Sequence, residues 1–334
     1  MTKTALITGI TGQDGYYLSH LLLSHGYRVV GLVSPHRQPN LAKLGSLANQ
    51  VEIYTVDLRD SVALLNAVEQ LRPQEIYNLA APSFVPDSWK DPLGTLDLIT
   101  GTATRLLDAV RQVGLSTRFY QASSSEMFGD VFCSPQDEET SFRPKNPYAA
   151  AKLHAHWTMV HHRQRYGLFA CSGILYNHES PLRAPQFVTR KVSLAAASIK
   201  LGLADTLEMG NLDAKRDWGF AGDYVKAMWL MLQAEEPEEY VIGTGKLHSV
   251  KELVSMAFEC LGLNWQNHVV INDDLLRPDE HFQLVANPGK AKRNLGWEPE
   301  ISFERLIETM VRTDIERLQH DKFAQISAKQ LLVE

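Results

Sequence analysis

The chain has 334 residues, enough for one large core or two adjoining ones, and its 44% hydrophobic and 22% charged content is ordinary for a globular enzyme. A formal net charge of −6 with no Lys/Arg-rich face argues against a nucleic-acid partner, so any bound anion must be met by local arginines. Cys133, Cys171 and Cys260 have no paired spacing and give no zinc, other metal or disulfide pattern. The N-terminus lacks a signal peptide's apolar core and no apolar run reaches the ~18 residues of a membrane span, so a cytoplasmic protein without membrane contact is expected.

In chain order, Ala5-Leu-Ile-Thr8 reads as a buried strand, and Gly9-Ile-Thr-Gly12-Gln-Asp-Gly15 follows it. Tyr17, Leu18, Leu21 and Leu22 then recur at helical spacing until Gly26, a left-handed cap. In a strand–turn–helix context, G-x-x-G-x-x-G lets the backbone approach a pyrophosphate and offers it helix N-terminal N–H groups. Strands are expected over 28–33, 51–57, 75–81, 117–124 and 168–175, with helices over 61–71 and about 93–113 between them. Alternation at this pitch specifies an α/β fold, a doubly wound, Rossmann-like parallel sheet. Past Tyr176 the alternation breaks: helices are expected over 187–201, 223–233, 249–261 and 303–318, with short strands over 206–210 and 239–242. These segments suggest a smaller, discontinuous α/β lobe, with 1–176 plus about 216–245 holding a dinucleotide and about 177–215 plus 246–334 holding a nucleotide sugar. Ligands of such sheets lie at the carboxyl ends of the strands, where Ser83, Ser124 and Asn177 fall.

Tyr148 and Lys152 stand four apart where a helix begins, so they share a face, and the ammonium is expected to lower the phenol towards the working range of a base. Ser124 and Glu126 lie two apart beyond the fifth strand and share a face. Alone, S-S-S-E reads as a turn whose hydroxyls cap the next segment. Together with Tyr148, Lys152 and a dinucleotide turn, it suits oxidation of an alcohol coupled to proton removal from the adjoining carbon.

These motifs resemble the extended short-chain dehydrogenase/reductases and, within them, the GDP-mannose 4,6-dehydratase family. The match runs through Tyr120-Gln-Ala-Ser-Ser-Ser-Glu126, Pro147-Tyr-Ala-Ala-Ala-Lys152, Phe187-Val-Thr-Arg-Lys191 and Arg277-Pro-Asp-Glu280, and Asn177-His-Glu-Ser180 and Arg216-Asp-Trp-Gly219 are far more specific than the glycine turn. The resemblance implies that Tyr148, helped by Lys152, takes the C4 hydroxyl proton as hydride leaves C4, that Glu126 removes the C5 proton, and that Ser124 or Glu126 supplies the acid for loss of the C6 hydroxyl. Hydride then returns to C6, giving GDP-4-keto-6-deoxymannose.

The resemblance further implies cofactor contacts from Gly9, Thr11, Gly12, Gln13, Asp14, Gly15, Arg37, Asp57, Leu58, Leu79, Ala80, Ala81, Ser83, Tyr148, Lys152, His178 and Arg183. For substrate it implies Ser83, Asn177, Lys191, Arg216, Arg277 and Glu280. Read singly, the last five are solvated surface groups, His178 is a buried hydrogen-bonded histidine, and Asp57 is a cap for the helix near Ser61. The implied cofactor is NADP. Relatives carry an Arg-Arg pair after the second strand where this chain reads Ser34-Pro-His-Arg37, which leaves NAD open as well as NADP and alters the loop from which relatives build a tetramer contact. Pro82 in place of a Gln, Ser124 in place of Thr and the tail after Arg277 also depart from the pattern. The expected partner is a GDP-sugar, in a homodimer or homotetramer. The same chemistry on another GDP-sugar, such as a GDP-manno-heptose, and a non-catalytic nucleotide-binding subunit are the competing readings.

Overall fold

Ala5 and Ile7 of strand β1 (Thr4–Thr8) point into one core cluster and Leu6 into another. A strand buried on both faces is apolar without alternation, which is why this segment reads as a continuous hydrophobic run. The computed structural model describes residues 2–36, 40–276 and 283–331, the last eleven by backbone alone. Around β1 stand β2 (Arg28–Val33), β3 (Glu52–Thr55), β4 (Glu75–Asn78), β5 (Arg118–Ser124), β6 (Ala170–Leu175) and β7 (Glu239–Ile242). They form one sheet in the order β7-β6-β5-β4-β1-β2-β3, parallel throughout, with the order reversing beside β1.

One face of the sheet is covered by helices Gln13–Ser24 and Ala221–Gln233, through Leu18, Leu22, Val225 and Met228. The other is covered by Ser61–Leu71, Thr102–Val113 and Pro147–Tyr166, through Leu64, Leu106, Ala151 and Met159. A separate cluster joins helices Val188–Lys200, Val250–Glu259 and Phe303–Leu331, with Val192, Leu253, Ile307 and Met310 buried together.

Three expectations are revised. The helix expected over 93–113 is interrupted by a π turn at Asp97–Gly101, where Asp97 folds back onto Arg105 at 2.6 Å and Gly101 leaves room for the guanidinium. The last helix runs to Leu331. The helix at Ser61 is capped by Asp60, which accepts from the N–H groups of Val62 and Ala63, and not by Asp57. Among the described residues no helix is long and apolar enough to cross a membrane, and no cluster of His, Cys, Asp and Glu could hold a metal ion.

Candidate active site

The site is built where the sheet order reverses, past the carboxyl ends of β1, β4, β5 and β6. Gly9 adopts φ +75°, and a β-carbon there would stand 3.0 Å from the Ala80 nitrogen. At Gly15 a β-carbon would lie 2.5 Å from the carbonyl oxygens of both Gly9 and Ile10, so only glycine lets the helix begin flush against the turn. Gly12 is the N-cap and contributes no side chain to the first-turn N–H groups, with Thr11 half-buried beside it. This turn fits a dinucleotide pyrophosphate by backbone donors and helix dipole.

Leu79, Ala80 and Ala81 follow β4. Their turn is held by Thr8 Oγ1, which accepts the N–H groups of Leu79 and Ala80 at 3.0 Å each, and Ser83 stands exposed beyond it. After β3, Leu58 is buried while the Asp57 carboxylate accepts from the Arg59 N–H at 2.9 Å and faces His36 Nε2 at 3.0 Å. The Arg59 N–H, with His36 beside it, holds Asp57 below the usual carboxylate range. Arg37 lies outside the described residues.

The side chains of Gln13 and Asp14 span the gap to the short strand Asn177–Glu179. Gln13 Nε2 donates to the His178 carbonyl at 3.0 Å, Ser180 Oγ donates to Gln13 Oε1 at 2.7 Å, and His178 Nε2 stands 2.9 Å from Asp14 Oδ2. Arg183 Nε lies 3.1 Å from Glu179, and its guanidinium stacks 3.6 Å from the Phe187 ring centroid.

Tyr148 and Lys152 sit in the first two turns of helix Pro147–Tyr166, both buried. The expected lowering of the phenol is not found. Burial pushes Tyr148 up to about 12, and the Glu126 charge adds to the rise, while the facing Ser124 hydroxyl and the Arg183 charge oppose it. Lys152 turns its Nζ to the Ala122 carbonyl at 2.7 Å, 5.7 Å from the Tyr148 ring centroid, and burial draws its ammonium down to about 8. A four-residue spacing puts both groups on one face, but the lysine turns to the Ala122 carbonyl and desolvation of the phenol dominates.

Glu126 follows Ser124 in a 3₁₀ turn, where Ser124 Oγ accepts the Glu126 N–H at 3.2 Å. Its carboxylate accepts Asn146 Nδ2 at 3.1 Å. Asn146 is also the N-cap of the helix that carries Tyr148, its Oδ1 accepting the Ala149 N–H at 2.8 Å. That cap fixes which end of the amide faces Glu126. One residue therefore ties the carboxylate to the start of the helix presenting the phenol. Asn before Pro is legible as a cap; its second contact is not.

A further network escaped the sequence reading. Thr8 Oγ1 donates to Asn78 Oδ1 at 2.7 Å, Asn78 Nδ2 to Gln121 Oε1 at 2.8 Å, and Gln121 Nε2 at 3.0 Å to the same Ala122 carbonyl that Lys152 uses. All three side chains are buried and satisfied, so the lysine's acceptor is anchored across three strands.

Of the residues expected near substrate, Asn177 lies opposite Trp218 in a short parallel pair, directly beside the clamped His178. Arg216 pairs with His248 in a short antiparallel ladder, and its Nη1 donates to the Lys215 carbonyl at 2.7 Å. Lys191 Nζ donates to the Glu208 carbonyl at 2.6 Å. Arg277 and Glu280 lie outside the described residues.

Residues 6–310 match the family model described as GDP-mannose 4,6 dehydratase. GDP-mannose 4,6 dehydratase 2 of Arabidopsis thaliana is 47% identical over 332 residues, spanning 96% of this chain and 89% of the plant protein. The Homo sapiens GDP-mannose 4,6 dehydratase is 44% identical over 344 residues, spanning 95% of this chain and 92% of the human one. The crystal structure of Thermus thermophilus UDP-glucose 4-epimerase in complex with NAD matches 93% of this chain and 98% of its own with a TM-score of 0.81, at 27% identity.

Proposed function

The chain belongs to the GDP-mannose 4,6-dehydratase family, and on that premise we infer that it converts GDP-mannose to GDP-4-keto-6-deoxymannose. The observation that carries this reading is the coupling of an acid and a phenol at one strand end: Asn146 caps the helix bearing Tyr148 and donates to Glu126. A C4 epimerase or a ketoreductase has no use for a carboxylate that strips C5.

The division of labour follows from the chemistry. Tyr148 accepts the proton of the C4 hydroxyl as phenolate, a form that burial opposes and that the Ser124 hydroxyl and the Arg183 charge favour. When bound, the nicotinamide supplies the two-electron acceptor that takes hydride from C4 and returns it to C6. With a ketone at C4, the C5 proton becomes acidic enough for Glu126, held by Asn146, to remove it. Loss of the C6 hydroxyl as water then needs a proton from Glu126 or Ser124, and hydride return to C6 is completed by a proton on C5, which balances the one taken from the C4 hydroxyl. Lys152 stays charged below about 8 and keeps that face of the site cationic.

The fold belongs to a nicotinamide-dependent enzyme, and NADP is the proposed form. Ser34 and His36 follow β2, and the Asp57 carboxylate beside them is engaged by His36 Nε2 at 3.0 Å and by the Arg59 N–H at 2.9 Å. The sheet and its helices form the dinucleotide-binding part, and the Val192–Leu253–Met310 cluster supports the GDP-sugar lobe with Asn177, Lys191 and Arg216. Arginine's planar fork suits the diphosphate. Exposed Trp89, Leu93 and Trp157 fit a homodimer or homotetramer, and the exposed thiols of Cys133 and Cys260 fit the cytoplasm.

Incubation with GDP-mannose and catalytic NADP tests this. The expected product is a 4-keto sugar lacking the C6 hydroxyl, with no net reduced cofactor. A keto product that retains the C6 hydroxyl would overturn the reading, and turnover confined to another GDP-sugar would move the substrate. Tighter binding of NADH than NADPH would reverse the cofactor preference.

A further inference from the structure

His178 offers its two ring nitrogens to oxygens that can only accept. Nδ1 stands 2.8 Å from the Tyr176 carbonyl and Nε2 stands 2.9 Å from Asp14 Oδ2. A carbonyl has no proton to give, so Nδ1 must carry one. The Asp14–Nε2 contact then requires a second proton between ring and carboxylate, and the charged arrangement is imidazolium facing carboxylate. The groups around the ring agree. Tyr224, from helix Ala221–Gln233, stacks on it at 4.7 Å, and the Gln13 amide closes over its carbonyl. Arg183 is the cation that opposes the charge, while Asp14 is the carboxylate that favours it. Burial works to discharge both partners, yet their mutual attraction prevails: His178 lies above its ordinary value and Asp14 below its own.

The elements joined are the two that matter for the site. Asp14 and Gln13 open the helix whose N-terminus fits the pyrophosphate, while His178 lies in the short strand that Asn177 begins and Ser180 follows it. In sequence the pair is 164 residues apart. We propose that Asp14 and His178 form a standing ion pair which, with the Gln13–Ser180 amide clasp, clamps the glycine-turn helix to the Asn177 strand. His178 and Asp14 are thus positioning residues for both halves of the site rather than direct readers of a ligand. That the two halves hold cofactor and GDP-sugar rests on the function inferred above; the ion pair itself does not. Asp14 also acts on Lys152 and Tyr148, raising both, so its charge is felt at the catalytic helix as well as in the clamp.

Two measurements on the full-length protein test this. The first is a histidine-ring NMR titration, with the His178 resonance assigned by its loss in His178→Gln. The expected ring stays doubly protonated past 6.5, its ordinary value, and in Asp14→Asn loses its second proton at or below that value. A wild-type ring that titrates at an ordinary pH overturns the ion pair, and this arm needs no variant to bind anything.

The second is a double-mutant cycle of Asp14→Asn and His178→Gln read by NADPH and GDP affinity. Each single change is expected to weaken both ligands by about tenfold, and the double variant to be no weaker than the weaker single. Penalties that multiply, or an effect confined to NADPH, would mean independent ligand contacts and would sink the clamp. Failure of the wild-type protein to bind either NADPH or GDP would instead sink the functional reading and leave the NMR result to decide the pair.

Discussion

Replacing Glu126 by Gln separates two half-reactions that the wild-type enzyme runs in sequence. The amide is isosteric, and its Oε1 can accept the Asn146 Nδ2 donor now 3.1 Å from the carboxylate, so no buried donor is orphaned. Stability is therefore expected to change by no more than about 0.5 kcal/mol. The Glu126 charge raises the Tyr148 phenol, so its removal does not hinder C4 oxidation. Proton abstraction from C5 has no other carboxylate in the described catalytic cluster. A general base contributes about a hundred- to ten-thousandfold, or about 3–5 kcal/mol of barrier. The expected phenotype is a normal first turnover to the 4-keto level, followed by a stall with reduced cofactor held on the enzyme. Stopped-flow absorbance of the reduced nicotinamide, with C5 exchange from deuterated solvent, reads both steps. Formation of 4-keto-6-deoxy product at the wild-type rate, or a stall with the cofactor still oxidised, would refute the assignment of Glu126 to C5.

Tyr148→Phe should lower kcat by at least about a hundredfold with the cofactor remaining oxidised, the opposite trap to Glu126→Gln; accumulation of reduced cofactor would contradict it. Lys152→Met should abolish turnover yet raise Tm at neutral pH. Burial pulls the lysine from 10.5 to about 8, and at ~1.4 kcal/mol per unit the buried charge costs up to roughly 3–4 kcal/mol. The Ala122 carbonyl keeps its Gln121 donor at 3.0 Å, so a lowered Tm would count against this account. Between about 8 and 10.5 the folded chain binds fewer protons here than the unfolded one, so this group's contribution to stability rises with pH through that window. Wild-type kcat should fall above about 8 as the ammonium is lost. Gly15→Ala sets a β-carbon 2.5 Å from two carbonyl oxygens, so the helix must move off the turn; cofactor affinity should collapse, and unchanged NADPH binding would show that the turn does not hold the pyrophosphate.

How far the sequence reaches depends on how local each feature is. β1 to β7 and their helices are legible because a sheet covered on both faces demands apolar runs, and its crossover helices demand a longer period. Gly12 and Gly15 are legible because their constraint lies within one turn, whereas Gly9 is also pressed by Ala80 from another strand end, and Tyr148 and Lys152 are legible because helical spacing alone places them together. Asn146 was half legible: its cap is written beside Pro147, while its hold on Glu126 crosses to a turn 20 residues earlier.

What only the tertiary structure decided are contacts and balances that no spacing encodes. Thr8, Asn78 and Gln121 meet because β1, β4 and β5 are neighbours in the sheet, and Asp14 meets His178 because two chain segments close over the switch point. Whether Lys152 or burial governs the Tyr148 phenol depends on how much of the molecule surrounds it. Desolvation is a property of the whole packed interior, and it carried the phenol upward where the local motif alone predicts a fall.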